Sequence, residues 1–182
     1  MTEQSTRPVL VIMGVSGCGK TTIAQMLAAR LHWEYAEGDS MHPKANVEKM
    51  ASGHALTDED RAPWLAKVAD WIRSKTAAGE PGVITCSALK RAYRDVLRGD
   101  NVVFVYLKGS RELIARRLAE RHGHFMPPAL LDSQFATLQE PGSDERAVTI
   151  DISGEPPETE RAVLDALEGI DGIVTGHRGA QS

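Results

Sequence analysis

The chain has 182 residues, 42% of them hydrophobic and 25% charged, with a net charge of −4 at neutral pH. That length suits a single globular domain, and an acidic balance argues against a protein that coats nucleic acid or an anionic membrane surface. The only cysteines, Cys18 and Cys86, cannot build a disulfide framework. No stretch is apolar enough to span a bilayer, and the first residues lack the apolar core of a signal peptide, so the expectation is a cytoplasmic protein without membrane or nucleic-acid partners.

Val9 to Met13 reads as a first, fully buried strand. Directly after it stands Gly14-Val15-Ser16-Gly17-Cys18-Gly19-Lys20-Thr21, which fits G-x-x-x-x-G-K-[ST] at every fixed position. A helical pattern over Thr21 to Leu31 follows, so strand, glycine-rich turn and helix come in the order the motif requires. Such a turn points successive N–H groups, on to that of Thr22, at phosphate oxygens, and the helix dipole adds to their attraction. Lys20 then reaches the β- and γ-phosphates and the Thr21 hydroxyl ligates Mg²⁺. The expected ligand is a nucleoside triphosphate.

A short second strand is predicted at Trp33 to Ala36, others at Val83 to Cys86, Val102 to Leu107 and Val148 to Ile152. Between them lie helical patterns at Ala62 to Ala77, Ala92 to Leu97, Arg111 to Arg121, Pro128 to Leu138 and Pro157 to Leu167. This alternation predicts an α/β domain around a parallel sheet, spanning residues 1–171. Residues 172–182 are polar and aperiodic and read as a flexible tail. The glycine, histidines and prolines after His122 suggest a mobile lid over about 122–134. Trp64 and Trp71 read as packing residues.

The polar residues narrow the class. No N-K-x-D is present for guanine, and Asp151-Ile152-Ser153-Gly154 reads as a turn. The histidines are too scattered for a transition-metal site. Asp39 follows the second strand, where parallel sheets place their ligands, and a carboxylate there can orient an acceptor hydroxyl and take its proton; an Asp that merely caps the next segment is the plainer reading. His42, Asn46, Lys49 and Arg61 follow closely and could grip an anionic, polyhydroxylated molecule. Lys90 and Arg94 are spaced to share one helix face and meet a carboxylate or phosphate. Arg117 and Arg121, also four apart, could stack on adenine and meet phosphate oxygens. These features favour a small-molecule kinase.

Several segments resemble the gluconokinase family: Gly38-Asp39-Ser40-Met41-His42-Pro43, Asp60-Arg61-Ala62-Pro63-Trp64-Leu65, Cys86-Ser87-Ala88-Leu89-Lys90-Arg91 and His124-Phe125-Met126-Pro127. With the phosphate loop they stand in the family's order, and the resemblance reaches to about Leu167. It implies a three-layer P-loop fold like that of adenylate and shikimate kinases, with a five-stranded parallel sheet and a lid. It implies transfer of the γ-phosphoryl of ATP, with Mg²⁺, to the 6-hydroxyl of D-gluconate, by a homodimer. On that resemblance Lys20 and Asp39 are catalytic. Gly14 to Thr22 with Arg117 and Arg121 hold ATP, and Asp39, His42, Lys49, Arg61, Lys90, Arg94, His124 and Gln134 face gluconate. The strand ending at Cys86 carries no Walker-B aspartate, which leaves Asp39 or Glu37 to support Mg²⁺ from behind. A kinase of this fold acting on shikimate or a nucleotide, and a non-catalytic ATP-binding regulator, are the readings a substrate panel would separate.

Overall fold

The computed structural model describes residues 7–120 and 128–170. Among them, β1 (Val9–Met13), β2 (Glu34–Glu37), β3 (Gly82–Thr85), β4 (Val102–Lys108) and β5 (Ala147–Asp151) form one sheet in the order β2-β3-β1-β4-β5. Every pairing is parallel. β1 is central and each of its residues is fully buried, which is why it is an unbroken apolar run rather than an alternating one.

The strand period divides β1 between two cores. Leu10 and Ile12 point to one face, against Ile23, Ala24 and Leu27 of α1 (Lys20–Leu31) and Val163, Leu164 and Leu167 of α7 (Pro156–Glu168). Ile114 of α5 (Arg111–Glu120) and Leu131 of α6 (Pro128–Thr137) complete that layer. Val9, Val11 and Met13 point the other way, against Trp64, Val68 and Ile72 of α3 (Asp58–Ala78) and Tyr93 and Leu97 of α4 (Arg91–Leu97). The result is three layers, helix on sheet on helix, with the glycine-rich turn at the carboxyl end of the central strand.

The expected strands are present with ends shifted by a residue. The helices hold two differences. A helix α2 (Lys44–Ala51) occupies the segment in which the sequence shows no apolar stripe. Its single buried residue is the polar Asn46, and its Val47 is exposed, so burial periodicity could not reveal it. α3 also begins a turn earlier than Ala62, at Asp58, because Thr57 and Asp60 close a reciprocal capping box. Pro63 is thereby carried inside the helix. No helix among the described residues is long and apolar enough to cross a membrane.

Candidate active site

The phosphate loop is open where an ordinary helix would be capped. Gly19, at φ 92°, is the N-cap of α1; no side chain caps the helix and no acidic residue stands in its first turn. α3, by contrast, has its capping box and three acidic residues there. A helix end with neither a side-chain cap nor an acidic neighbour in its first turn suits an anion from outside. Lys20 Nζ meanwhile donates to the loop's own carbonyls, Gly14 O at 2.9 Å and Val15 O at 3.0 Å. Gln134 of α6 grips the loop as well: the Ser16 N–H donates to its Oε1 at 2.7 Å, and its Nε2 donates to Ser16 Oγ at 3.0 Å.

Beside the loop lies a cavity of about 320 Å³ lined by Gly17, Gly19, Thr22, Arg117 and Glu155. Arg117 reaches it from α5 and is fixed by the carbonyls of Ile152 (2.5 Å) and Gly154 (3.1 Å). The turn after β5 is tightened by Asp151, whose carboxylate accepts from the Ser153 N–H at 2.7 Å. The D-x-x-G segment is therefore a turn that anchors the arginine, and the space has the place and the planar cation that a nucleotide base requires.

The mouth of the loop is joined to β2 and β3 by Glu37. Its carboxylate accepts from Thr21 Oγ1 at 2.9 Å, from Thr85 Oγ1 at 2.7 Å and from the Tyr35 hydroxyl. Burial, then the neighbouring Glu37, push the Tyr35 hydroxyl up to about 12. Next comes a 3-10 turn, Gly38–Met41. Gly38 is wedged against β3: a Cβ there would lie 1.8 Å from Thr85 O. Its N–H donates to Thr85 Oγ1 at 3.0 Å, and its carbonyl accepts from Trp64 Nε1 at 2.8 Å. Asp39 follows, exposed, and takes no side-chain hydrogen bond from a described residue. It is not a cap. Burial pushes the Cys86 thiol at the end of β3 up to about 12, and the charges of Asp39 and Lys20 both act on it, in opposite senses.

Beyond this turn lies a set of mutually tied side chains. His42 stacks on Trp64 with ring centres 4.1 Å apart. Lys49 pairs with Asp60 at 2.7 Å, and this contact, with the bonds from Thr57, holds the Asp60 carboxyl down at about 2. Arg61 donates to Leu56 O at 2.8 Å and to the Tyr93 hydroxyl at 3.0 Å. Lys90 pairs with Asp58 at 3.0 Å. The Tyr93 hydroxyl also binds Asp58 and holds its carboxyl below the usual range, with Lys90 adding to the effect. A cavity of about 460 Å³ opens beside this cluster, lined by Gly53, His54, Arg61, Ser133 and Gln134.

Lys20, Thr21, Asp39, His42, Lys49, Arg61, Lys90 and Gln134 thus gather at the carboxyl end of the sheet, with Arg117 at the cavity beside the loop. Arg94 does not join them. It is 1% exposed, bonded to both oxygens of Glu145 (2.6 and 3.1 Å) and to Ala88 O at 2.9 Å. The spacing argument for Lys90 and Arg94 sharing a face does not hold because Lys90 is the N-cap, outside the helix that carries Arg94. Arg121 and His124 lie outside the described residues, as do residues 122–127 of the expected lid and all of the tail, while the rest of the lid segment opens α6. Sequence reasoning missed Tyr93 and Asp58 as parts of the cluster that ties Arg61 and Lys90. The capping box at Thr57 marked where α3 begins, but no spacing rule brings Asp58 to Tyr93.

Residues 9–141 match the AAA domain family. A gluconokinase of Gluconobacter oxydans is 55% identical over 157 residues, 85% of this chain and 87% of the relative. This chain belongs to the gluconokinase family. The crystal structure of a gluconokinase from Sinorhizobium meliloti superimposes with a TM-score of 0.83 at 41% identity, covering 89% of this chain and 92% of that one. Shikimate kinase from Aquifex aeolicus, at a TM-score of 0.58 and 13% identity, shares the fold alone. The gluconokinase family therefore accounts for the P-loop three-layer architecture.

Proposed function

We propose that this protein transfers the γ-phosphoryl group of ATP to the 6-hydroxyl of D-gluconate, giving 6-phospho-D-gluconate and ADP. The observation that carries the reading is the carboxylate of Asp39, exposed on the turn after β2 and without a hydrogen bond from a described residue, in a chain 55% identical to a gluconokinase. Asp39 receives the proton of the acceptor hydroxyl as its oxygen bonds to the γ-phosphorus and the bond to the β-bridging oxygen breaks. The amides from Gly14 to Thr22 cradle the phosphates. Lys20 exchanges its bonds to Gly14 O and Val15 O for phosphate oxygens. Arg117 borders the base.

The donor set beside the loop, a Thr21 hydroxyl bonded to a Glu37 carboxylate, is all hard oxygen and fits Mg²⁺. Thr21 and Glu37 would hold it, and the ion would supply charge neutralisation on the phosphates. Arg61 and Lys90 are the cations we assign to the gluconate carboxylate, in place of Arg94. His42 and Lys49 meet its hydroxyls, and Arg121 and His124 close from a lid over about 122–134 in a single kinase domain. We assign the enzyme to the cytoplasm, as a homodimer, on the family reading; Cys18 and Cys86 are both buried and form no disulfide.

A coupled ADP-release assay with ATP and Mg²⁺ against D-gluconate, shikimate, AMP and other aldonic acids tests the proposal. Turnover on gluconate and not on shikimate or AMP is the expected result. ATP binding without turnover of any acceptor would overturn it in favour of a regulator.

A further inference from the structure

The one buried residue of α2 is an asparagine. Asn46 is 5% exposed; its Nδ2 donates to Asp60 O at 2.8 Å and lies 3.2 Å from His42 Nδ1. A carbonyl oxygen only accepts, so the Asp60 contact fixes which end of the amide faces inward. The amide nitrogen has two hydrogens. One goes to Asp60 O, and the other meets Nδ1, which must therefore accept. An imidazole that accepts at Nδ1 is neutral and carries its proton on Nε2.

The surroundings of the ring favour the same state. Trp64 covers one face at 4.1 Å. Burial is the largest influence and holds the His42 pKa below its ordinary value; Arg61 from α3 acts in the same sense and Asp39 from its own turn opposes. The carboxylate of Asp60, whose backbone carbonyl holds Asn46, is bonded to Lys49 and to the Thr57 N–H. Nε2–H takes part in no hydrogen bond with a described residue and is the donor the ring has left.

We propose that Asn46 is a positioning residue that locks His42 as the neutral Nε2–H tautomer, so that the ring offers a hydroxyl-bearing acceptor a hydrogen-bond donor without a positive charge. The absence of charge matters because Asp39 is three residues away, with its carbonyl bonded to the His42 N–H at 3.3 Å. An imidazolium beside the base would pair with it and lower its basicity. A neutral ring orients the substrate and leaves the carboxylate free to take the proton. The acceptor hydroxyl in this statement rests on the proposed kinase function; the tautomer does not.

The first test is long-range ¹H–¹⁵N correlation on the unliganded full chain with labelled histidine, the His42 signals among six histidines being assigned by their loss in His42→Gln. A protonated Nε2 and an unprotonated Nδ1 at pH 7 are expected. An Nδ1–H tautomer, or an imidazolium at that pH, overturns the proposal. The second test is Asn46→Asp, which places a carboxylate against Nδ1 and should raise the His42 pKa by about 1–3 units. The acid limb of kcat/KM should move up in pH with it. A variant that loses thermal stability but keeps the wild-type pH profile would show a merely structural Asn46 and overturn the assignment; should the variant not fold, the wild-type spectrum decides. Absent gluconate turnover with the tautomer signature intact would instead sink the acceptor reading.

Discussion

The two sides of the cleft are built by different means. On the nucleotide side the binding groups are main-chain amides, held by a glycine-rich turn and an uncapped helix. On the acceptor side they are side chains of α2, α3 and α4, held by one another: Lys49 by Asp60, Lys90 by Asp58, Arg61 by Tyr93, His42 by Asn46. A backbone site is spelled by residues next to each other in sequence. A site made of crossed side-chain pairs is stiff only while every pair is present, so it should be the more sensitive to distant substitution.

That contrast can be broken most directly at Asp39 and Lys20. Asp39→Asn should lower kcat by about 10²–10⁴-fold, the usual worth of a general base, with an unchanged melting temperature because the carboxylate is exposed and unpaired. Unchanged kcat would reduce Asp39 to a positioning group. Lys20→Ala should cost about 10²–10³-fold in kcat, again with little change in stability. Normal turnover there would make the backbone half of the site self-sufficient.

The arginines sharpen the comparison. Arg94→Met removes one partner of a buried pair and leaves Glu145 uncompensated, an expected loss of about 3–5 kcal/mol read from denaturant unfolding. Arg61→Met should raise KM for gluconate and leave KM for ATP and the fold nearly unchanged. The opposite pattern would place Arg94 in the substrate site. pH gives an independent check. The Arg94 guanidinium holds the folded Glu145 carboxyl below its ordinary 4.5. Its contribution to stability is therefore complete above that value and lost as pH falls below it through the folded pKa. Thermal melts of wild type should show that acid loss, and Arg94→Met should show less of it, the remainder coming from Asp58 and Asp60. The smallest effect is expected at Thr57→Ala, about 1 kcal/mol from the α3 cap, with unchanged KM for either substrate.

The sheet was legible because its strands are buried on both faces and read as short apolar runs. The phosphate loop was legible because its geometry demands glycine and lysine at fixed places. α2 was hidden because a helix that buries Asn46 and exposes Val47 carries no apolar stripe. Arg94 was misplaced for a related reason: arginine near a strand end looks functional in one dimension, and only the fold brings Glu145 against it. Tyr93 was visible as a residue but not as a hub, since its partners Asp58 and Arg61 stand more than thirty positions away.

Gly38 sets a boundary on how this enzyme can change. It sits between β3 and Trp64 with no room for even a methyl group, and it carries Asp39 as its immediate neighbour. A mutational library across the turn, selected for any new sugar acid, should return glycine at this position every time. The carboxylate we assign as the base is thereby bolted to the sheet through its neighbour. Trp64 and the Asn46–His42 pair bear on that same turn, so a change of substrate choice made there also alters the setting of the base.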